Sequence, residues 1–247
     1  MKGVIFGINP GARVIDLSHG VSPQDLMGAA LVVGYSAPFF PPGTIHVAVV
    51  DPGVGSERRP ILIESGGCFY IGPDNGILSL AVQEREAKQI VELTNEIYHL
   101  KPKSATFHGR DIFAPVAAYL SLGIGAEEFG PQVKDFVRLE WRAVVKTEEG
   151  LQGEIIYIDG FGNLITNIRE RDLKPFEPKS LRVFLSGFTI HGLSPNYAGG
   201  DSQGYIALIN SWHLLEISLF TRNAHISSSA KIGDPVKIQG SRGNFHG

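Results

Sequence analysis

Cysteine is nearly absent from this chain: Cys68 is the only one among 247 residues. A single thiol excludes an internal disulfide framework and any zinc site built from several cysteines. Cys68 precedes Phe69-Tyr70-Ile71, so a buried structural thiol is its expected role. Long hydrophobic runs are missing as well. No apolar stretch approaches the ~20 residues of a membrane-spanning helix, and the N-terminus has no signal-peptide pattern with a cleavage site. An excess of one charge is also lacking: 22 Lys and Arg stand against 25 Asp and Glu. Without a basic stripe, nucleic acid is not an expected partner. The eight histidines show no H-x-x-x-H or H-E-x-x-H spacing, so no metal site is indicated. A P-loop and a G-x-G-x-x-G fingerprint are both missing, which disfavours nucleotide-cofactor chemistry. What remains, 43% apolar and 19% charged, describes a packed, cytoplasmic enzyme or binding protein.

Residues 1–140 alternate strand-like and helix-like segments. Val4–Ile8 and Val14–Leu17 are short apolar runs, and Ile45–Val50 reads as a central strand. Ile61–Glu64 and Cys68–Ile71 flank Ser65-Gly66-Gly67, a hairpin signal. Ser22-Pro23 reads as the start of a helix running to about Tyr35, with Ser22 as cap. Further helices are expected over Leu78–Val82 and Ala114–Leu122, the last closed by Gly123. This alternation predicts an α/β domain with a mainly parallel, Rossmann-like sheet. After a boundary at about 137–150 the pattern changes. Leu151–Ile158, Leu164–Ile168, Leu181–Leu185, Tyr205–Ile209, Leu214–Leu219 and Pro235–Ile238 follow one another as strands without long helices. A second, all-β domain over 150–247 is expected.

Chemistry-bearing residues gather where strands end. Asp51 closes the apolar run Ile45–Val50 and opens the loop Pro52-Gly53-Val54-Gly55-Ser56-Glu57, which leads to Arg58 and Arg59. Open α/β folds place ligands at that carboxyl edge. Asp51 alone reads equally as a turn cap before Pro-Gly, and one of two adjacent arginines is usually only solvated. His108, in Thr106-Phe107-His108-Gly109-Arg110-Asp111, adds an imidazole from a second glycine-interrupted loop. Asp, Arg and His from separate loops are the parts of a network that orients an attacked water. Gly72-Pro73-Asp74-Asn75-Gly76 reads as a structural turn. In the second half, Phe161 lies between two glycines, where its ring can be presented, and Asn163 offers both a donor and an acceptor. Tyr197 and the Asn210-Ser211-Trp212-His213 segment add further stacking and hydrogen-bonding groups, a set that suits a purine.

Taken in order, Val49–Gly55 with Arg58-Arg59, Gly72–Gly76, Phe107–Asp111 and Phe161-Gly162-Asn163 resemble the S-adenosyl-L-methionine (SAM) hydroxide adenosyltransferases, relatives of the fluorinase and chlorinase. The resemblance runs over nearly the whole chain. It implies an α/β N-terminal domain, a barrel-like β C-terminal domain, and a homotrimer. It places SAM between the N-terminal domain of one subunit and the C-terminal domain of its neighbour. Water then attacks ribose C5′, giving adenosine and L-methionine, without metal or organic cofactor. By this resemblance Asp51, Arg58 and His108 form a triad that positions and partly deprotonates the water. Phe161 and Asn163 hold adenine with Tyr197, Ser211 lies near the methionine end, and backbone from Leu219 to Thr221 completes the adenine pocket. The halogenases carry tyrosine at the position of Asp51, and the fluorinase has hydroxyl side chains at those of Val54 and Gly109, so hydrolysis is expected rather than halogenation. The family also begins with a strand ending in Thr-Asp-Phe-Gly. That strand has no counterpart here, since Met1-Lys2-Gly3-Val4 matches the sequence just after it. A non-catalytic SAM- or adenosine-binding protein, or a truncated inactive family member, is the alternative expectation.

Overall fold

The structure, a computed structural model, describes residues 1–82, 86–140, 142–199 and 204–241. The chain divides into two units, Met1–Leu139 and Glu140–Gly247.

In the first unit, helices α1 (Lys2–Ile8) and α2 (Leu26–Ser36) precede strands β1 (Ile45–Val47), β2 (Pro60–Ser65) and β3 (Cys68–Pro73). Helix α3 (Ser79–Val82), strand β4 (Ala87–Glu92) and helix α4 (Ala114–Ser121) follow. The sheet order is β1-β3-β2-β4. Strand alternation makes this a three-layer unit. Ile61, Ile63, Tyr70 and Ile90 pack on one face with Ala29 and Val33 of α2, while Leu62, Ile71 and Val91 pack on the other with Val116 and Leu120 of α4. Side chains that are apolar on both faces of a strand require cover on both sides.

The mainly parallel, Rossmann-like sheet expected from the alternation is not what forms. Only β1 and β3 run parallel, while β2 pairs antiparallel with both β3 and β4. The reason is local. Gly66 and Gly67 both have positive φ, 58° and 78°, so β2 and β3 close as a two-residue hairpin with no room for a crossover helix. The first apolar run also differs: Lys2–Ile8 is helical and Val14–Leu17 takes no regular structure. A short apolar run cannot specify a strand by periodicity alone, and α1 buries none of its residues. Helix α2 starts later than Ser22. Its cap is Asp25, whose side chain accepts from the Gly28 N–H at 2.8 Å. Gln24 turns at φ 68°, so Ser22-Pro23 form the approach to the helix rather than its first turn. A cavity of about 820 Å³ runs beside β1, lined by His46, Val47, Val49 and the chain near Met1, without reaching Asp51, Arg58 or His108. Cys68 is buried.

The second unit is built from strands β5 (Val145–Lys146), β6 (Gly150–Ile158), β7 (Leu164–Arg169), β8 (Arg182–Leu185), β9 (Phe188–His191), β10 (Tyr205–Ile209), β11 (Leu214–Leu219) and β12 (Pro235–Gln239). Short helices α5 (Glu170–Leu173) and α6 (Ala224–Ser228) interrupt them. Every ladder is antiparallel, in the order β10-β11-β7-β6-β12-β8-β9, with β5 on β6. Beyond β9 the Ser194 N–H donates to the Ala207 carbonyl of β10 at 2.7 Å. The two ends of the strip therefore meet, and the sheet is a nearly closed barrel. Leu151, Ile155, Leu164, Val183, Ile217 and Val236 lie in its core.

Candidate active site

In the first unit Asp51 follows β1, where the Ala48 N–H still donates to Ile71 of β3. The Asp51–Ser56 loop folds on itself through the Val54 N–H to Asp51 carbonyl bond and the Ser56 N–H to Gly53 carbonyl bond. Gly55 then meets the second loop: it has φ 79°, and a Cβ there would stand 2.5 Å from the Ala105 carbonyl oxygen. No side chain fits at that distance. Gly55→Ala is therefore expected to cost ~1–3 kcal/mol, as strain at φ > 0 does, and to lower activity by pushing the two loops apart. Urea unfolding beside an activity assay checks both. Unchanged values would mean the loops do not depend on this contact.

Across that contact the three side chains from separate loops come together. Arg58 grips Asp51 in bidentate fashion, Nε donating to Oδ1 at 2.9 Å and Nη2 to Oδ2. The same Nη2 reaches His108 Nδ1 at 2.8 Å. The side chains of Arg58 and Asp51 are only 9% and 7% exposed. The guanidinium also sits 5.5 Å over the Phe113 ring. Its Nη1 is buried and has no partner among the described residues, a donor left available within the cluster. Arginine offers donors only, so the bond to His108 runs from Arg58 to Nδ1. Neutral His108 consequently carries its proton on Nε2. Burial first, and the Arg58 charge second, lower the His108 pKa below its ordinary 6.5, which keeps the ring neutral.

Neighbouring pairs hold these loops. Asp111, buried beneath the His108 loop, accepts from Arg110 Nε at 2.6 Å and from the Ser104 N–H at 2.8 Å, and its hydrogen bond with Arg110 holds its carboxyl low. The residues after His108, Gly109–Phe113, wind as a widened π-type turn into α4, a form common at functional sites. Arg59 points elsewhere, to Asp74 at 2.6 Å and to Asp135 at 3.0 Å. Asp74 also accepts from the Val137 N–H, and Asn75 Nδ2 donates to the Val50 carbonyl just before Asp51. The Gly72–Gly76 segment is thus a brace for the strand end.

The remaining candidates lie in the second unit. Phe161 is 81% exposed at the β6–β7 turn, so its ring is presented. Asp159 shapes that turn, accepting from the N–H groups of Phe161 and Asn163 and from Asn163 Nδ2, each at 2.9 Å. Gly162 has φ 85°, and a Cβ there would fall 2.2 Å from the Asn223 side chain, which caps α6. Asn163 itself is buried. Tyr197 exposes 45% of its surface while its hydroxyl donates to Glu216 at 2.8 Å. Ser211 is exposed in the β10–β11 turn. Leu219 is buried at the end of β11, and Thr221 turns at φ 55° in the loop that the Arg222 N–H to Leu219 carbonyl bond closes. Sequence reasoning missed Asp159 and Glu216. An Asp-Gly turn could have flagged the first. The second gave no signal beyond an acid inside an apolar strand.

A three-layer α/β unit that presents a buried Asp–Arg–His network, followed by a nearly closed antiparallel barrel, defines the class of protein. Family models describing the SAM hydroxide adenosyltransferase N-terminal domain and C-terminal domain match residues 1–130 and 153–237. The chain belongs to the SAM hydroxide adenosyltransferase family and is an enzyme. A curated protein of Salinispora tropica named (R)-S-adenosyl-L-methionine hydrolase is 42% identical over 184 residues, covering 73% of this chain and 70% of its own. One of the same name from Methanocaldococcus jannaschii is 35% identical over 96% of this chain and 89% of its own. The crystal structure of an uncharacterized conserved protein from Thermotoga maritima superposes with a TM-score of 0.88 at 34% identity, covering 96% of this chain and 93% of that one. Among the described residues no helix is long and apolar enough to cross a membrane.

Proposed function

We propose that this enzyme hydrolyses SAM to adenosine and L-methionine, with Asp51, Arg58 and His108 orienting the attacking water. The observation that carries this reading is the continuous Asp51–Arg58–His108 chain of hydrogen bonds, in a chain whose relatives at 35–42% identity are named SAM hydrolases.

The chemistry needs little acid–base help. The sulfonium already leaves readily, so the enzyme must hold one water in line with the C5′–S bond and strip its other contacts. The water oxygen bonds to C5′ as the C5′–S bond breaks and sulfur takes the electron pair, giving the thioether of methionine. The oxonium formed is a strong acid and sheds its proton to solvent. In the tautomer that Arg58 imposes, His108 Nε2–H donates to the water oxygen and leaves the other lone pair for C5′. His108 in this state orients rather than deprotonates. Arg58 fixes the ring, and Asp51 fixes Arg58. Phe161, Asn163 and Tyr197 hold adenine, the Leu219–Thr221 backbone completes that pocket, and Ser211 lies by methionine. The homotrimer, with sites shared across subunit interfaces, and operation without a metal or organic cofactor belong to this proposal through the family resemblance. Val54 and Gly109 carry no hydroxyl to hold a halide, which supports water as nucleophile.

Mass spectrometry of a reaction with SAM tests the proposal: adenosine and methionine are expected in equal amounts. Retained SAM with neither product would leave a binding protein in its place. The pH profile follows from the lowered pKa of His108. Protonation at Nδ1 would remove the acceptor for Arg58 that fixes the ring, so the neutral form is the working one: kcat/KM is retained as pH falls through 6.5 and is lost only below it, at the depressed pKa. An acid limb at or above the ordinary value would contradict that role.

A further inference from the structure

Glu216 sits mid-strand in β11, only 3% exposed, between Leu208 of β10 and Ile165 of β7. Three donors converge on it. Oε1 accepts from Tyr197 Oη at 2.8 Å and from Ser218 Oγ at 2.6 Å, and Oε2 accepts from Asn210 Nδ2 at 3.2 Å. All three are neutral groups. A barrel strand needs no acid at such a place, since an apolar side chain of similar volume would cost less to bury.

The residue type follows from its partners. Asn210 Oδ1 is already taken by the N–H groups of Trp212 at 2.9 Å and Leu214 at 3.1 Å, so its Nδ2 must face Glu216. Acceptors are then required on both terminal atoms of residue 216. A carboxyl group provides them, whereas glutamine would set one amide NH₂ against another.

What Glu216 ties together matters more than the ties. Tyr197 shows nearly half its surface to solvent while its hydroxyl is anchored in the barrel wall, so the far end of the ring is held in place and much of the ring stays accessible. Burial, with acceptance by Glu216 adding to it, raises the Tyr197 phenol far above its ordinary value and keeps it a donor. The Asp159 charge also acts on that phenol, which puts the carboxyl that shapes the Phe161–Asn163 turn within electrostatic reach. Asn210 organises the turn that carries Ser211. We propose that Glu216 is a positioning residue for the substrate, holding the Tyr197 ring as a stacking face and the Ser211 turn in register with it. The proposal rests on the SAM reading above. It adds a buried acid that touches no substrate atom and sets the geometry of those that do.

Glu216→Gln keeps Oε1 for Tyr197 and Ser218 but turns a donor toward Asn210. It is expected to raise the KM for SAM about tenfold while kcat stays within about threefold, the pattern of lost binding rather than lost chemistry. Adenosine affinity by calorimetry should weaken in parallel, and the thermal midpoint should stay within about 5 °C of the wild type. Tyr197→Phe should raise KM in the wild type and add little in the Glu216→Gln background. An unchanged KM and unchanged adenosine affinity in folded Glu216→Gln overturn the proposal. If the variant melts more than about 5 °C lower, Tyr197→Phe decides instead: a raised KM supports the role and an unchanged one overturns it. If the wild type releases no methionine, the hydrolase reading falls by itself, and adenosine affinity in the same variants still judges Glu216.

Discussion

Replacing His108 with alanine is expected to lower kcat for SAM by ~10²–10³, the usual loss when one fixed donor or proton-handling group is removed at a reacting centre. The expectation comes from geometry. His108 is held by one bond, from Arg58 Nη2 to Nδ1 at 2.8 Å, and its Nε2–H is the free end. Adenosine binding should be spared, because the ring is assigned to the water and not to the nucleoside. His108→Gln separates donor from base. Its amide N–H can still reach the water, so it should keep within about tenfold of wild-type turnover, in the range one neutral hydrogen bond is worth. Steady-state kinetics on both variants reads this directly. Loss in the glutamine variant equal to that in the alanine variant would point to a proton-accepting role. Unchanged turnover in the alanine variant would remove His108 from the reaction.

Asp51→Ala carries the largest expected effect on stability. Asp51 and Arg58 are both more than nine-tenths buried and joined through two bonds. Removing one partner of such a pair leaves the other charge buried and uncompensated, at ~3–5 kcal/mol. For a unit of this size that lowers the midpoint of its unfolding transition by roughly 10–15 °C. The cation would remain against Phe113 with Nη1 still unpartnered. Removing Arg58 as well should recover part of the loss, because the stranded charge is gone. Differential scanning calorimetry on the single and double variants measures the coupling. Losses that simply add would mean the pair contributes no shared energy. Turnover should fall in both, since Arg58 no longer fixes the His108 ring.

How much of this was legible beforehand depends on what each residue responds to. Asp51, Arg58 and His108 could be read because each lies in a glycine-rich loop at a strand end, and the structure joins them by hydrogen bonds. Loop position alone does not tell Arg59 from Arg58; only the family resemblance selects Arg58. The partners of Arg59, Asp74 and Asp135, are 15 and 76 residues away. The hairpin at Gly66-Gly67 is legible, but the strand–helix alternation around it points to a parallel sheet, whereas the hairpin makes the sheet mostly antiparallel. Most strands of the second unit were found from their apolar alternation. β9 was missed although Ser186 and Gly187 both turn at positive φ before it, the same two-residue device as in the first unit. β5 is only two residues long and fully exposed, so no apolar pattern marks it. Glu216 was invisible because its meaning lies in two side chains, Asn210 across the β10–β11 turn and Tyr197 nineteen residues away, which only the folded chain brings to it.

The central claim is that water, oriented by the His108 network, attacks C5′ of SAM. Turnover in water enriched in ¹⁸O tests it most directly, with both products examined by mass spectrometry. The account predicts one ¹⁸O atom in adenosine, at the 5′-hydroxyl, and none in methionine beyond slow solvent exchange of its carboxyl group. Label fixed in the methionine side chain, or adenosine formed without label, would contradict it.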